Sequence, residues 1–187
     1  MAVVLPAEPA PVRLMNTIWA DRDGVHDALV DRTDLLTVLR ATGYPVADVT
    51  GRHVGEARRL RDALRRLAAA ATRDERLRAA TALDEPEAID AVNAVMTVAP
   101  EREVLTRTPD GWELRAEPTD SPDTALAHLA RAGARLLATG DPPLRACYAP
   151  GCVLYFTADH PRREWCSVAC GNRARAARHY RRHRDMA

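Results

Sequence analysis

The chain of 187 residues is long enough for one ordinary hydrophobic core and a small additional module. Its 27 basic residues, all of them arginine, are nearly balanced by 26 acidic residues, so the net charge of +1 alone indicates no polyanionic partner. No apolar run approaches the roughly 18 residues of a transmembrane helix, which excludes a membrane-spanning segment.

The first nineteen residues divide into two stretches. Residues 1–11 are rich in alanine and proline and are predicted to be disordered or only loosely draped over the protein. The apolar stretch 12–19 is expected to enter the core, either as an edge strand or as a short helix, because eight residues are too few for periodicity to separate the two. The beginning of the chain has no basic start, and prolines break its apolar run, so we expect no signal peptide.

Four helices are predicted between residues 31 and 140. They are a short helix after Asp31, a long helix over 54–72, a third from Asp84 to Pro100 and a fourth from Pro122 to Gly140. The long helix places Ala57, Leu60 and Leu64 on one face, and we interpret the arginines on its other faces as solvent-exposed. In the third helix, Ile89, Val92 and Met96 are expected to face the core.

Two short segments between the third and fourth helices alternate apolar and polar residues. Residues 103–107 and 112–116 flank Thr108-Pro109-Asp110-Gly111, which is a turn sequence, so they predict a β-hairpin. After the fourth helix, Asp141-Pro142-Pro143 predicts a stiff, short linker and therefore a domain boundary.

All four cysteines lie in the last part of the chain. Cys147 and Cys152 form one closely spaced pair, and Cys166 and Cys170 form a second pair thirteen residues later. Two such pairs can converge on one tetrahedral ion, so the spacing predicts a closed structural Zn²⁺ site. Two disulfides are a less favoured alternative because no secretory signal is evident. A catalytic zinc would usually leave one coordination position open.

The segments around the cysteines predict the local structure of this module. Ala149-Pro150-Gly151 predicts a tight knuckle between the first two cysteines. Residues 153–156 are predicted to form a strand, Asp159-His160-Pro161 a turn, and Trp165-Cys166 the returning strand. Ser167 is expected to cap a final helix that places Cys170 in its first turn.

The end of the chain carries a concentrated positive charge. Residues 145–187 contain nine arginines and three acidic residues, a net charge of +6, whereas the rest of the chain has a net charge of −5. In the predicted final helix, Arg175, Arg178 and Arg182 recur at steps of three and four residues. The candidate nucleic-acid contacts are Asn172, Arg173, Arg175, Arg178, Arg181 and Arg182, although Asn172 and Arg173 could instead brace the zinc knuckle.

Short motifs in this region resemble one known family. Residues 170–173 spell CGNR, and residues 145–152, Phe156 and residues 162–167 also look like the CGNR zinc finger. That finger is the C-terminal module of bacterial proteins described as stress-induced transcription regulators. Glu164 departs from the family pattern, which more often has a basic residue at this place.

The usual N-terminal partner of the CGNR finger is the ABATE domain. Leu14, Asn16 and Thr17 look like residues near the start of that domain, and the order helix, hairpin, helix is similar. We therefore predict a mainly α protein with small β-hairpins (α+β). Its expected parts are a helical ABATE-like domain over 1–140, a linker over 141–144 and a treble-clef-like zinc module over 145–187.

Together, these observations predict a zinc-dependent DNA-binding transcription regulator that is stress-responsive and cytoplasmic in a bacterium. The N-terminal domain would serve sensing or assembly, possible partners being a second copy or the transcription machinery. No nucleophile and base occur at an informative spacing, so we expect no enzyme. The alternative is a zinc-stabilised protein-interaction or RNA-binding module without sequence-specific DNA binding.

Overall fold

The secondary structure of the computed structural model is dominated by helices, with short antiparallel strand pairs between them. The structure describes residues 5–76, 81–100, 103–116 and 119–184. Within them the helices are α1 Ala10–Met15, α2 Arg32–Ala41, α3 Gly51–Thr72, α4 Glu85–Val98, α5 Pro122–Thr139 and α6 Val168–Arg184. The strands are β1 Ile18–Ala20, β2 Val25–Asp27, β3 Glu103–Thr108, β4 Gly111–Ala116, β5 Leu144–Ala146 and β6 Tyr155–Thr157. The predicted class, mainly α with small hairpins, is confirmed.

Helix α3 lies at the centre of the helical body. Its buried face carries Ala57, Leu60, Leu64 and Ala68 and packs against α1, α4 and α5. The contact with α5 is close, because a Cβ atom added at Gly133 would lie 2.5 Å from Leu64 Cδ2. A side chain at this position would displace the buried Leu64 side chain, so the glycine leaves room for Leu64 between the two helices.

Helices α2, α4 and α5 begin where the sequence predicts, whereas α3 begins at Gly51, three residues before the predicted start at residue 54. Asp31, Thr50 and Asp84 each form a capping box at the start of α2, α3 and α4, and Ser121 caps α5. The predicted inward face of α4 is partly wrong, since Ile89 is 45 % exposed while Ala88, Ala91 and Val92 are buried. Helix periodicity groups apolar residues into stripes but does not show which stripe faces the core. In the folded protein the stripe with Ala88 and Ala91 is the buried one.

The N-terminal stretch is ordered from residue 5 onward, which corrects the prediction of disorder over 1–11. Residues 1–4 lie outside the described part. The Glu8 side chain is buried and accepts hydrogen bonds from Thr157 N and Oγ1, both at 2.8 Å. Arg163 Nη2 donates to its other carboxylate oxygen at 2.7 Å. These contacts join distant parts of the sequence, so composition alone did not reveal them.

The cysteine-containing region shares the hydrophobic core of the helical body. Strands β5 and β6 pair antiparallel, and Ala146 and Tyr155 pack in the same buried cluster as Leu14, Leu60 and Leu64. Asn16 ties α1 to β6, because its side chain donates to Tyr155 O at 2.8 Å and accepts from Tyr155 N at 3.0 Å. The residues before and after the predicted linker at 141–144 are thus packed together in space.

Within the described ranges, none of the helices combines the length and the apolar character that crossing a bilayer requires.

Candidate metal centre and basic helix

The four cysteines converge at one buried point. Their Sγ atoms all lie within 4.8 Å of one another, with 3.4 Å between Cys166 and Cys170 and 3.9 Å between Cys152 and Cys166. Tetrahedral zinc with Zn–S bonds of about 2.3 Å requires sulfurs separated by about 3.8 Å, so the cluster has the size of a zinc site. Four thiolates fill the coordination shell, which makes the site a structural one.

The knuckle and the start of α6 place the two cysteine pairs as predicted. Gly151 adopts a φ of +75°, and Cys152 N donates to Ala149 O at 2.9 Å, so the chain turns tightly between Cys147 and Cys152. Ser167 Oγ accepts a 3.2 Å hydrogen bond from Cys170 N, which places Cys170 in the first turn of α6.

The prediction of which strand pairs in the hairpin of this module is wrong. Tyr155–Thr157 pairs with Leu144–Ala146, which precedes the knuckle, and Trp165-Cys166 forms no strand. The knuckle itself therefore connects the two strands. The turn at 159–161 is as predicted: His160 accepts from Arg162 N and Arg163 N, and neither His160 nor Asp159 belongs to the sulfur cluster.

A small apolar cluster surrounds the sulfurs. Leu154, Phe156 and Trp165 pack against the cysteines. Two further residues, Leu5 and Trp19, come from the N-terminal region and could not be assigned to this cluster from sequence. The metal centre is therefore enclosed partly by its own module and partly by the helical body.

The thiols influence one another's ionisation. Hydrogen bonds with Cys152 and Cys166 lower the pKa of Cys147 to about 7. Hydrogen bonds among the same thiols, those with Cys147 first, lower the pKa of Cys170 and raise the pKa values of Cys152 and Cys166. Four adjacent thiols cannot all ionise unless a cation neutralises them, and a divalent metal stabilises all four as thiolates. The donor set thus fits Zn²⁺.

Three arginines hold the four cysteines from outside the sulfur cluster. Arg76 Nη1 donates to Cys147 O at 2.6 Å and to Cys152 O at 2.9 Å. Arg163 Nη2 donates to Cys166 O at 3.1 Å, and Arg173 Nη2 lies 3.0 Å from Cys170 Sγ. Each metal ligand is therefore oriented by a guanidinium group, through its carbonyl or directly through its sulfur.

Arg76 is in turn fixed by the helical body. Asp74 follows α3 and pairs with Arg76 at 2.6 Å, and it accepts a 2.8 Å hydrogen bond from Tyr155 Oη. Burial alone would raise the pKa of Asp74, but the hydrogen bonds from Arg76 and Tyr155 lower it below its usual value. Sequence analysis missed this link because its members are about eighty residues apart in sequence.

The predicted solvent exposure of the α3 arginines is wrong at two positions, because both Arg61 and Arg65 are buried. Arg65 is 1 % exposed, and its guanidinium donates to Met15 O at 3.0 Å and to Val153 O at 3.2 Å. The sequence does contain a signal, since Arg61 and Arg65 follow Ala57 by four and eight residues and therefore lie on the apolar face of the helix. Because burying a guanidinium is costly unless carbonyls or carboxylates accept its protons, Arg65 bridges the body and the knuckle.

Helix α6 has one buried face and one broad exposed face. Cys170, Gly171 and Ala174 are buried, and Gly171 lies against Trp165. The six candidate nucleic-acid contacts, Asn172, Arg173, Arg175, Arg178, Arg181 and Arg182, are all exposed. Arg175 Nη2 donates to Asn172 Oδ1 at 2.5 Å, whereas Arg173 turns back to Cys170. None of the six is buried against the acidic body.

A cavity of about 350 Å³ lies on the helical body between α3, α4 and α5. Its walls are apolar and include Ala94, Val95, Val98 and Leu126. Charged side chains occur at its edge, among them Arg59 and Asp90. This cavity was not predicted from the sequence, because it is formed between three separate helices.

Comparison with known protein families gives two matches in the predicted order. The model of the ABATE family, described as "putative stress-induced transcription regulator", matches residues 8–140. The model of the CGNR zinc finger matches residues 144–183. A comparison with curated proteins finds no match.

Proposed function

We propose that this chain, which belongs to the ABATE family and ends in a CGNR zinc finger, regulates transcription by binding double-stranded DNA through α6. The observation that carries the proposal is the position of the exposed arginines. They lie on a helix whose first turn contains one zinc ligand, Cys170, and directly follows another, Cys166. Metal binding therefore fixes the direction in which the cationic surface projects.

The exposed face of α6 offers two kinds of contact. One exposed stripe, beside the buried face of the helix, is formed by residues at steps of four, three and four: Val168, Asn172, Arg175 and His179. Val168 is 80 % exposed although it is apolar. In a major groove, an apolar side chain suits a thymine methyl group, an asparagine suits adenine and an arginine suits guanine. We assign base contacts to Val168, Asn172 and Arg175.

Arginines farther along α6 lie beside this stripe. Arg178 and Arg182 are four residues apart and therefore occupy the same flank of the helix. Their exposed guanidinium groups suit phosphate oxygens, which supply affinity without sequence preference. We assign phosphate contacts to Arg178, Arg181 and Arg182. Arg173 contributes mainly by holding Cys170, because its guanidinium contacts that sulfur.

The helical body is proposed to sense a stress signal. Its cavity between α3, α4 and α5 has the size and apolar character of a small-molecule site. Helix α3 runs from this cavity, at Arg59, towards Asp74 and Arg76 at the zinc knuckle. A ligand that shifts α3 would therefore act on the segment that orients the metal ligands. The proposed site of action is the bacterial cytoplasm, where the chromosome lies.

The competing function is a zinc-stabilised module for protein or RNA binding. The separating experiment is selection of the zinc-loaded full-length protein against a library of random duplexes, with single-stranded RNA as competitor, at about 150 mM salt. Enrichment of a defined duplex motif is the expected result. Failure to enrich any duplex, or stronger binding of the RNA, would reject the proposal.

A further inference from the structure

The hairpin formed by β3 and β4 exposes an unusual amount of apolar surface. Leu105 is 65 % exposed, Trp112 67 % and Leu114 57 %. In the antiparallel register, Leu105 pairs with Leu114, and Arg107 pairs with Trp112. Cross-strand partners and residues two positions apart share a face, so all three apolar side chains lie on the same side of the hairpin. Such adjacent exposed apolar side chains usually mark an interaction site.

The two strands have no further strand beside them among the described residues. The sheet contains β3 and β4 only, and each strand therefore has one free edge. A two-stranded ribbon is marginally stable by itself, whereas three or four strands form a stable sheet. Free edges are commonly protected by proline, by a bulge or by charged side chains. Residues 103–108 of β3, EVLTRT, contain no proline, and their pairing with β4 is continuous, so Glu103 and Arg107 are the charged residues of this edge.

The free edge of β3 has a defined set of backbone groups. Thr108 and Gly111 close the hairpin across a two-residue turn and are therefore a hydrogen-bonded pair. Bonded and non-bonded pairs alternate along an antiparallel ladder. The N–H and C=O groups of Glu103, Leu105 and Arg107 consequently point away from β4. The side chains of these same three residues lie on the apolar face.

We propose that β3 pairs antiparallel with β3 of a second copy of this chain, about a two-fold axis at Leu105. In this register Leu105 faces Leu105 of the other copy. Glu103 of each copy faces Arg107 of the other, so the axis creates two ion pairs. The four-stranded sheet then carries a central row of four leucines, contributed by Leu105 and Leu114 of both copies. An ion pair flanks this row on each side.

The occupant is a second copy because the edge is complementary to itself. The acidic residue at 103 and the basic residue at 107 are equally distant from Leu105, so a two-fold axis there brings opposite charges together. Neither Glu103 nor Arg107 has an ion-pair partner among the described residues. The Arg107 guanidinium lies over the Trp112 ring, 4.9 Å from its centroid, and is thus held on the apolar face of the hairpin. Like charges would face each other in a parallel arrangement with Glu103 opposite Glu103.

The area that two short strands can bury is small, so the dimer is expected to be weak, with a dissociation constant on the order of micromolar. Sedimentation velocity of the zinc-loaded full-length protein from about 1 to 500 µM measures it. Glu103→Arg and Arg107→Glu each place like charges opposite each other twice, so each is expected to raise the dissociation constant by about tenfold or more.

Two rescue measurements make the test specific. The double variant Glu103→Arg/Arg107→Glu restores both ion pairs, and an equimolar mixture of the two single variants restores them in a heterodimer. Both are expected to return to about the parent dissociation constant. Glu113→Arg is the control on the other strand, because β4 lies outside the new contact. Helical content and one zinc per chain confirm that every variant is folded.

Some outcomes would overturn the proposal. If the protein is monomeric at all concentrations, no second copy binds to β3. If the single variants dimerise less tightly and neither rescue restores the dimer, Glu103 and Arg107 are not paired across the two copies. An effect of Glu113→Arg as large as that of Glu103→Arg would place the contact at β4. The proposal does not depend on DNA binding, since a chain that binds no duplex can still dimerise through β3.

Discussion

Arg76, four residues beyond the end of α3, donates a 2.6 Å hydrogen bond to the carbonyl oxygen of Cys147 and so connects the helical body to the metal centre. The same guanidinium reaches Cys152 O, and its partner Asp74 accepts a hydrogen bond from Tyr155. Two zinc ligands are thereby oriented by a residue outside their own module. The stability of the metal site and the position of α3 are expected to depend on each other.

Replacing Arg76 by alanine should weaken zinc binding without altering any sulfur. Loss of groups that orient metal ligands typically costs about 10- to 100-fold in affinity. Competition with a chromophoric chelator measures the zinc dissociation constant. Arg59→Ala is the matched control, because Arg59 is an exposed arginine of α3 that lines the cavity of the helical body. An unchanged affinity for Arg76→Ala would show that the carbonyl contacts do not position the ligands.

Replacing Tyr155 by phenylalanine removes one hydroxyl and retains the buried ring. Tyr155 Oη donates to Asp74 at 2.8 Å, and the residue is fully buried. The free energy of unfolding should fall by about 1–3 kcal/mol, because the buried carboxylate loses a donor. Urea unfolding of the zinc-loaded protein measures the change. Tyr180→Phe, at a 73 % exposed position, should have no comparable effect.

Replacing Cys166 by serine should abolish zinc binding and DNA binding together. With three sulfurs the site no longer binds zinc tightly, and α6 loses the anchor of its first turn. Far-UV circular dichroism should still show the helical content of α2 to α5. The melting temperature should fall, because Ala146 and Tyr155 belong to the core shared with the helical body. Tight, motif-specific DNA binding by this variant would contradict a zinc-ordered helix.

The salt dependence of DNA binding reports the number of phosphate contacts. If α6 and its surroundings neutralise about four to six phosphates, log affinity should fall with log salt at a slope of roughly −4 to −5. Arg178→Ala and Arg182→Ala should each reduce the magnitude of that slope by about 1. Arg40→Ala, an exposed arginine on α2, should leave it unchanged. A flat salt response would argue against phosphate contacts.

Replacing Asn172 by alanine should alter the preferred sequence more than the overall affinity. A side chain that contacts a base edge contributes about 1–3 kcal/mol of discrimination at one base pair. Duplex selection with Asn172→Ala should therefore lose preference at one position of the motif, whereas Arg182→Ala should retain the full motif at lower affinity. An unchanged motif for Asn172→Ala would reject the base-contact assignment but leave DNA binding intact.

Local patterns in the sequence determined much of this structure. Capping residues determined where α2, α4 and α5 begin, the 108–111 turn determined the β3–β4 hairpin, and the cysteine spacing with Gly151 and Ser167 determined the metal site. These features depend on residues within a few positions of one another. Their physical causes, satisfied helix ends, turn geometry and thiolate coordination, are therefore visible without the fold.

Contacts between distant residues were decided only by the tertiary structure. Glu8 with Thr157, Asn16 with Tyr155, and Arg76 with Cys147 are each separated by more than seventy residues, and no local pattern pairs them. Likewise, helix periodicity defined the stripe on α3 but did not show that Arg65 is buried under the knuckle. Buried polar groups must find partners wherever the folded chain supplies them, so their pairing follows from the packing of the whole protein.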